Sequence, residues 1–243
     1  MSEWWSYSPS DFLLFSARTY YRLFEIHNAA LWPAPLLTLL LGVGILVLMR
    51  GEARWRGRAI SATLAVLWGF VGWAFLWDRY ASINWAARYA ALVFGLEALM
   101  LVAIGVGRGG LSFRPRRGAK GAAGMVLFVV ALALYPILLR LLGRDWRQTE
   151  TFGITPDPTA IATLGLLLLA SGSGRRALMV IPMLWCVMSG ATLWLLGSPE
   201  AWVPIMALLA VVVTAMTRVG PSRQERQAED SESNSQKVSG GRE

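Results

Sequence analysis

Apolar residues gather into long blocks at roughly 33–49, 60–77, 85–106, 121–142, 158–171, 177–196 and 201–217, separated by short polar loops. A helix needs about 20 mostly apolar residues to cross a bilayer. The pattern therefore predicts an all-α fold, a polytopic transmembrane helical bundle of about seven spans. Pro136 and Pro182 fall inside the fourth and sixth blocks, where a missing N–H kinks a helix. The fifth block spans only about 21 Å at ~1.5 Å per residue, short of the ~30 Å hydrocarbon core. Ahead of the blocks, Ser8-Pro9-Ser10-Asp11 reads as a capped helix start. From there to about Asn28, Asp11, Arg18, Arg22 and Glu25 share one stripe, and Phe12, Phe15, Tyr20, Leu23, Phe24 and Ile26 cover much of the rest. That is an amphipathic helix lying at the interface or on the bundle. After Val219 the apolar period stops, which predicts a disordered tail. The expected organisation is an outer head over 1–29, a membrane domain over 30–218 and a cytoplasmic tail over 219–243.

Composition agrees. The 243 residues are 55% hydrophobic with a mean hydropathy of +0.48, above the ~45–50% apolar content of ordinary soluble domains. The formal charge of +8 comes from 23 basic and 15 acidic residues. No nucleic-acid recognition motif accompanies it, and the basic residues instead pile up in alternate loops. Arg50, Arg54, Arg56 and Arg58 follow the first block. Arg108, Arg114, Arg116, Arg117 and Lys120 follow the third, and Arg175 and Arg176 the fifth. The positive-inside rule places these loops and the C-terminus in the cytoplasm and the N-terminus outside. In that topology Trp4, Trp5, Trp32, Trp77, Trp85, Trp146, Trp194 and Trp202 fall near the outer interface and Trp55 at the inner one. Trp32, Trp77, Trp85, Trp146, Trp194 and Trp202 are the expected interface anchors. One cysteine (Cys186) and one histidine (His27) exclude an internal disulfide and metal or haem sites built from several Cys and His side chains. No cofactor is expected.

Glu97, near the middle of the third block, is the sharpest feature. A carboxylate at that depth faces the bundle, and it reads either as a proton, cation or substrate site or as a hydrogen-bonded packing residue. Tyr135 is a possible partner. The 77–85 stretch concentrates Asp78, Arg79, Asn84 and aromatic rings, either as an anchor or as an outward ligand platform. In the 152–159 stretch, Asp157 before Pro158 reads as an N-cap with proline at the first helical position. Pro156 imposes extended backbone just before it. Thr155, Thr159 and Thr163 then share a face, as along the wall of a polar cavity. Met179, Met183 and Cys186 share a face of the sixth block; methionine there is an ordinary core filler, and no metal site is expected. His27 reads as an interfacial polar residue.

The stretches Trp4-Trp5-Ser6-Tyr7-Ser8-Pro9-Ser10-Asp11-Phe12, 77–85 and 152–169 resemble an uncharacterised bacterial multi-pass membrane family, domain of unknown function 6064, over the chain to about residue 218. The resemblance implies a bacterial cytoplasmic (inner) membrane protein and brings no activity, substrate or catalytic residue. The function expected is a small-molecule or ion transporter or permease-like protein, with Glu97 as ion site. The alternative is a non-transporting accessory or sensor module that presents an outer aromatic-acidic surface to a partner. An intramembrane enzyme is the weakest class, since no nucleophile–base or metal constellation is visible. The expected partner is the lipid bilayer, with a second copy or another membrane protein as the further candidates, and no nucleic acid.

Overall fold

The structure, a computed structural model, describes residues 15–116 and 118–216. Among the described residues 78% are helical, and the only strands are Ser112–Phe113 and Ala170–Ser171. The fold is all-α. Its helices are α1 (Ala17–Leu31), α2 (Ala34–Arg50), α3 (Arg56–Ser82), α4 (Ala87–Gly107), α5 (Ala119–Leu141), α6 (Pro156–Leu169), α7 (Arg175–Leu195) and α8 (Trp202–Met216).

Four of these, α3, α4, α5 and α7, are long and apolar enough to cross a bilayer. The α1–α2 pair passes the same test together but is bent by 84°. Helices α6 and the 199–214 segment that includes most of α8 are shorter. Pro136 does not interrupt α5. It follows a π-type segment, Val130–Leu134, whose wider turn accommodates the missing donor. The head helix starts later than its sequence suggests: Ser16 is the N-cap of α1 and accepts from the Thr19 N–H at 3.3 Å. The Ser8-Pro9-Ser10-Asp11 start and the 219–243 tail lie outside the described residues. The amphipathic face is present, with Tyr20, Leu23, Phe24 and His27 buried and Arg18 and Arg22 exposed.

Helix α6 is the hub. Every residue from Pro156 to Leu169 is buried, and α5, α7 and α8 pack around it, with α3 touching it as well. At 14 residues the helix is too short to cross a ~30 Å hydrocarbon core by itself, and its neighbours enclose it on every side. The crossing with α5 is close: a Cβ on Gly165 would lie 2.6 Å from the Gly124 carbonyl oxygen and 2.7 Å from the Phe128 nitrogen. Glycine at both positions is what lets the two backbones touch.

The chain reverses direction between successive long helices, so the bundle has two unlike ends. At one end the loops carry arginines, and two of these cap helices. Arg56 donates to the Leu48 carbonyl at 2.5 Å, at the end of α2. Arg175 reaches the Ala170 and Leu167 carbonyls at 3.4 and 3.5 Å, at the end of α6. At the other end the six anchor tryptophans are exposed, Trp32 at 68% and Trp77 at 46% among them. Between the ends, large aliphatic side chains lie exposed along α2, α4 and α7, including Leu40, Val47, Leu92, Leu99, Val180 and Leu184.

Candidate functional site

The tryptophan end holds the densest polar chemistry. After α5 the chain loops through 142–155 before entering α6, and this loop turns Arg144 and Glu150 inward. Glu200 arrives from the short turn Pro199–Ala201. All three are buried. Arg144 Nε donates to Glu200 Oε1 at 2.7 Å, and Nη1 donates to Glu150 Oε1 at 3.3 Å and to the Gln148 carbonyl at 3.2 Å. The face of α1 closes over them: the guanidinium carbon lies 4.2 Å from the Tyr21 ring centre and 5.1 Å from that of Phe24. Tyr21 shares a 2.5 Å hydrogen bond with Ser198. Burial pushes the Glu150 carboxyl well above its usual range, the charge of Asp157 adds to this, and Arg144 opposes it. Burial works against the Arg144 charge, but Glu150 and Glu200 outweigh it and hold the guanidinium above its ordinary value.

His27 is a core residue here, which corrects the interfacial reading. It is 1% exposed, its Nε2 lies 3.2 Å from the Ile154 carbonyl, and its ring meets Phe75 edge-on at 5.1 Å. Burial pushes its imidazole down to about 4, Arg79 acts in the same direction, and the bond to Ile154 resists. The sign follows from proton counting. Between the unfolded value near 6.5 and about 4, the unfolded chain binds a proton that the folded one does not, so stability falls as pH falls through that window. Wild type should therefore lose up to about 3 kcal/mol relative to His27→Gln between pH 7 and pH 4, at ~1.4 kcal/mol per pKa unit. Thermal melts of both proteins across that range measure it, and parallel pH profiles would refute it.

Asp157 sits one layer deeper. It is not an N-cap: Thr155 occupies that position with extended backbone, Pro156 begins the helix and Asp157 lies in the first turn. Its carboxylate faces neighbouring helices. Oδ1 accepts from Trp185 Nε1 at 2.7 Å, and Oδ2 accepts from Ser189 Oγ at 2.6 Å and, more weakly, from the Tyr135 hydroxyl at 3.4 Å. Tyr135 thus partners Asp157, not Glu97. The threonine face meets protein and not solvent; Thr155, Thr159 and Thr163 are all buried. Thr155 and Thr159 accept from the Thr151 and Gly153 N–H groups at 2.9 and 2.8 Å, and Thr163 accepts from Trp68 Nε1 at 2.9 Å. These hydroxyls lock the entry to α6.

Glu97 faces the bundle. It is fully buried on the α4 face that carries Ala91, Phe94 and Leu101, and neither carboxylate oxygen has a hydrogen-bond partner. An aromatic layer stands one turn away: Phe94 lies 4.3 Å from Trp68 and 5.0 Å from Trp185, centre to centre. Asp78 lies at the surface beside Arg79 at 3.4 Å. Asn84 Oδ1 accepts from the Ala86 N–H at 3.1 Å, and Asn84 shares with Ser189 a small cavity of about 60 Å³. The structure thus joins Asp157, Tyr135 and, through Ser189, Asn84. Glu97 and Asp78 stand apart. Among the described residues, no three His, Cys, Asp or Glu side chains are placed to hold a metal ion.

Two grooves open at this end. The larger, about 920 Å³, lies between α1, α2, α5 and the 146–151 segment. Arg22, Glu25, Asn28 and Arg147 line it together with Trp32, Leu36, Pro136 and Trp146. Arg22 and Glu25 form an ion pair with each other. Asn28 donates to the Thr149 and Arg147 carbonyls at 2.8 and 3.0 Å, while its own Oδ1 is buried without a partner. The second groove, about 520 Å³, runs between α4 and α7 from Trp85 and Tyr89 to Phe94 and Trp185. Glu97 lines neither.

Sequence reasoning missed Arg144, Glu150, Glu200 and Asn28. They lie in loops or at a helix end with no period, and the charges at 144 and 150 look like ordinary loop charges.

The family model described as a family of unknown function (DUF6064) matches residues 17–226. No curated protein and no solved structure matches the chain.

Proposed function

The chain belongs to that family of unknown function, and we propose that it is a multi-pass protein of the bacterial cytoplasmic membrane that works as a binding or sensing module at its tryptophan end. The membrane reading rests on the exposed aliphatic faces of α2, α4 and α7, which would be a liability in water. Arginine loops at one end and exposed tryptophans at the other support an N-out, C-in orientation with seven crossings, α6 being the short, enclosed one.

The observation that carries the binding reading is the 920 Å³ groove. It has a charged and amide rim above an apolar floor, and the buried, unpartnered Asn28 Oδ1 calls for a donor. That combination suits an amphiphilic molecule, its head at the rim and its chain along Leu36 and Pro136. The interior offers less to a permease. The residues around α6 are bonded to one another, and an aromatic layer separates Asp157 from Glu97.

Transport remains the second reading, favoured by one observation: the Glu97 carboxyl is enclosed mid-helix with no partner. One experiment separates the two. Thermal stability is measured in phosphatidylcholine nanodiscs for wild type, Ala29→Trp (which fills the groove) and Glu97→Gln, with decylphosphocholine and with a panel of ions. A ligand that binds only the folded protein raises stability, by about 2.7 kcal/mol at a hundredfold excess over Kd. The binding reading expects an amphiphile shift that survives Glu97→Gln and is lost in Ala29→Trp; no amphiphile shift in wild type overturns it. An ion shift lost in Glu97→Gln moves the assignment to transport. With neither, Glu97→Gln at or above wild-type stability makes Glu97 a packing residue.

A further inference from the structure

The arginine end holds a concavity of its own, of about 430 Å³, lined by Arg116, Ser171, Ser173, Arg175 and Arg176 with the backbone of Gly172 and Gly174. Its frame is stiff. Ser112 and Phe113 pair antiparallel with Ser171 and Ala170, tying the 108–116 loop to the 170–176 loop. Gly172 and Gly174 have φ of +126° and +83°, and a Cβ on Gly172 would lie 1.6 Å from the Gly110 carbonyl oxygen. Only glycine permits this turn, which then delivers the chain into the first residue of α7.

The two loops that form the concavity bring arginines and no carboxylate of their own. The chain has no Asp or Glu between Glu97 and Asp145, nor between Asp157 and Glu200, so neither loop supplies an acid. Among the described residues, no ion pair joins Arg116, Arg175 or Arg176 to a carboxylate. Arg175 is engaged with α6 carbonyls, while Arg116 and Arg176 are exposed. Arginines that merely anchored a bilayer would splay toward it. These line one concavity, together with two serines and a glycine turn.

We propose that this concavity binds a phosphate group. Arginine forks match phosphate oxygens in geometry and charge. Hydroxyls and turn N–H groups add donors, and the α7 N-terminus places its positive end nearby. The volume exceeds that of inorganic phosphate and suits a phosphate carried on a glycerol-sized group. Two sources share this chemistry: the headgroup of an anionic phospholipid and a soluble phosphate monoester.

The test uses the full-length chain as wild type, Arg116→Gln/Arg176→Gln, and Arg54→Gln as a control at the same end outside the cavity. Arg175 is left intact because it caps α6. Binding of inorganic phosphate and of glycerol 3-phosphate is measured by calorimetry in neutral maltoside detergent. Thermal stability is compared in phosphatidylcholine nanodiscs with and without phosphatidylglycerol. The proposal expects saturable binding to wild type and Arg54→Gln, with affinity at least about tenfold weaker in the double variant, as loss of charge-assisted hydrogen bonds predicts. A signal from glycerol 3-phosphate names a soluble ligand; a stability gain from phosphatidylglycerol alone, absent in the double variant, names a lipid headgroup. Either supports the site. No binding in any arm, or equal effects in the double variant and the control, overturns it.

Discussion

Arg144→Leu is expected to cost the folded protein about 3–5 kcal/mol, the range for removing one partner of a buried ion pair. Arg144 is the cation at the centre of this group, set against Glu150 and Glu200, with Asp157 one layer away. Leucine fills much of the volume but leaves two enclosed carboxylates facing each other. It also removes the flat cation that Tyr21 and Phe24 cover, so α1 should loosen from the bundle. Glu150→Gln should behave in the opposite sense. Burial already disfavours the Glu150 charge at neutral pH, and Arg144 keeps Glu200 as its closer partner. The folded Glu150 carboxyl holds its proton above the unfolded value, so wild type pays for that ionisation as pH rises and the amide does not. Glu150→Gln should therefore equal or exceed wild type in stability at pH 8, while Arg144→Leu is far below both. Thermal melts in nanodiscs, with protease sensitivity of α1 as a local readout, decide it. An Arg144→Leu protein as stable as wild type would mean that these contacts contribute nothing net.

Asp157→Ala is expected to cost about 4 kcal/mol. The carboxylate is the acceptor for Trp185 and Ser189 at 2.7 and 2.6 Å, and a buried donor stripped of its acceptor costs about 1–3 kcal/mol. The Tyr135 contact at 3.4 Å is too long to add much. Asp157→Asn should cost less than half as much, because the amide oxygen can still serve Trp185 while the amide nitrogen meets Ser189, whose hydroxyl can turn to accept. Tryptophan fluorescence provides a second readout, since freeing the Trp185 indole changes its environment. Equal losses for the two variants would show that volume, and not hydrogen bonding, sets the cost.

The comparison of Glu97 with Asp157 shows what was legible in the residues. Glu97 lies near the middle of a long apolar helix, where a carboxylate is costly against lipid, so its burial follows from its place along one segment. Asp157 follows one proline and precedes another, a setting that reads as a cap. Its role depends on Trp185 and Ser189, which are 28 and 32 residues away. The threonines at 155, 159 and 163 share a face as their spacing implies. Whether that face meets water or protein is decided by the helices around it.

What the amino-acid order determined by itself is the all-α class, the positions of the long helices, the amphipathic face of α1 and the gathering of arginines into alternate loops with most tryptophans near the opposite helix ends. Each of these is a short-range property, set by periodicity and composition within one segment. The tertiary structure alone decided that α6 is enclosed, because an all-round apolar helix of 14 residues carries the same local signal whether lipid or protein surrounds it. It alone brought Arg144 to Glu200 across 56 residues and opened the groove beside Asn28. Such pairings depend on which helices become neighbours, and no local pattern specifies that.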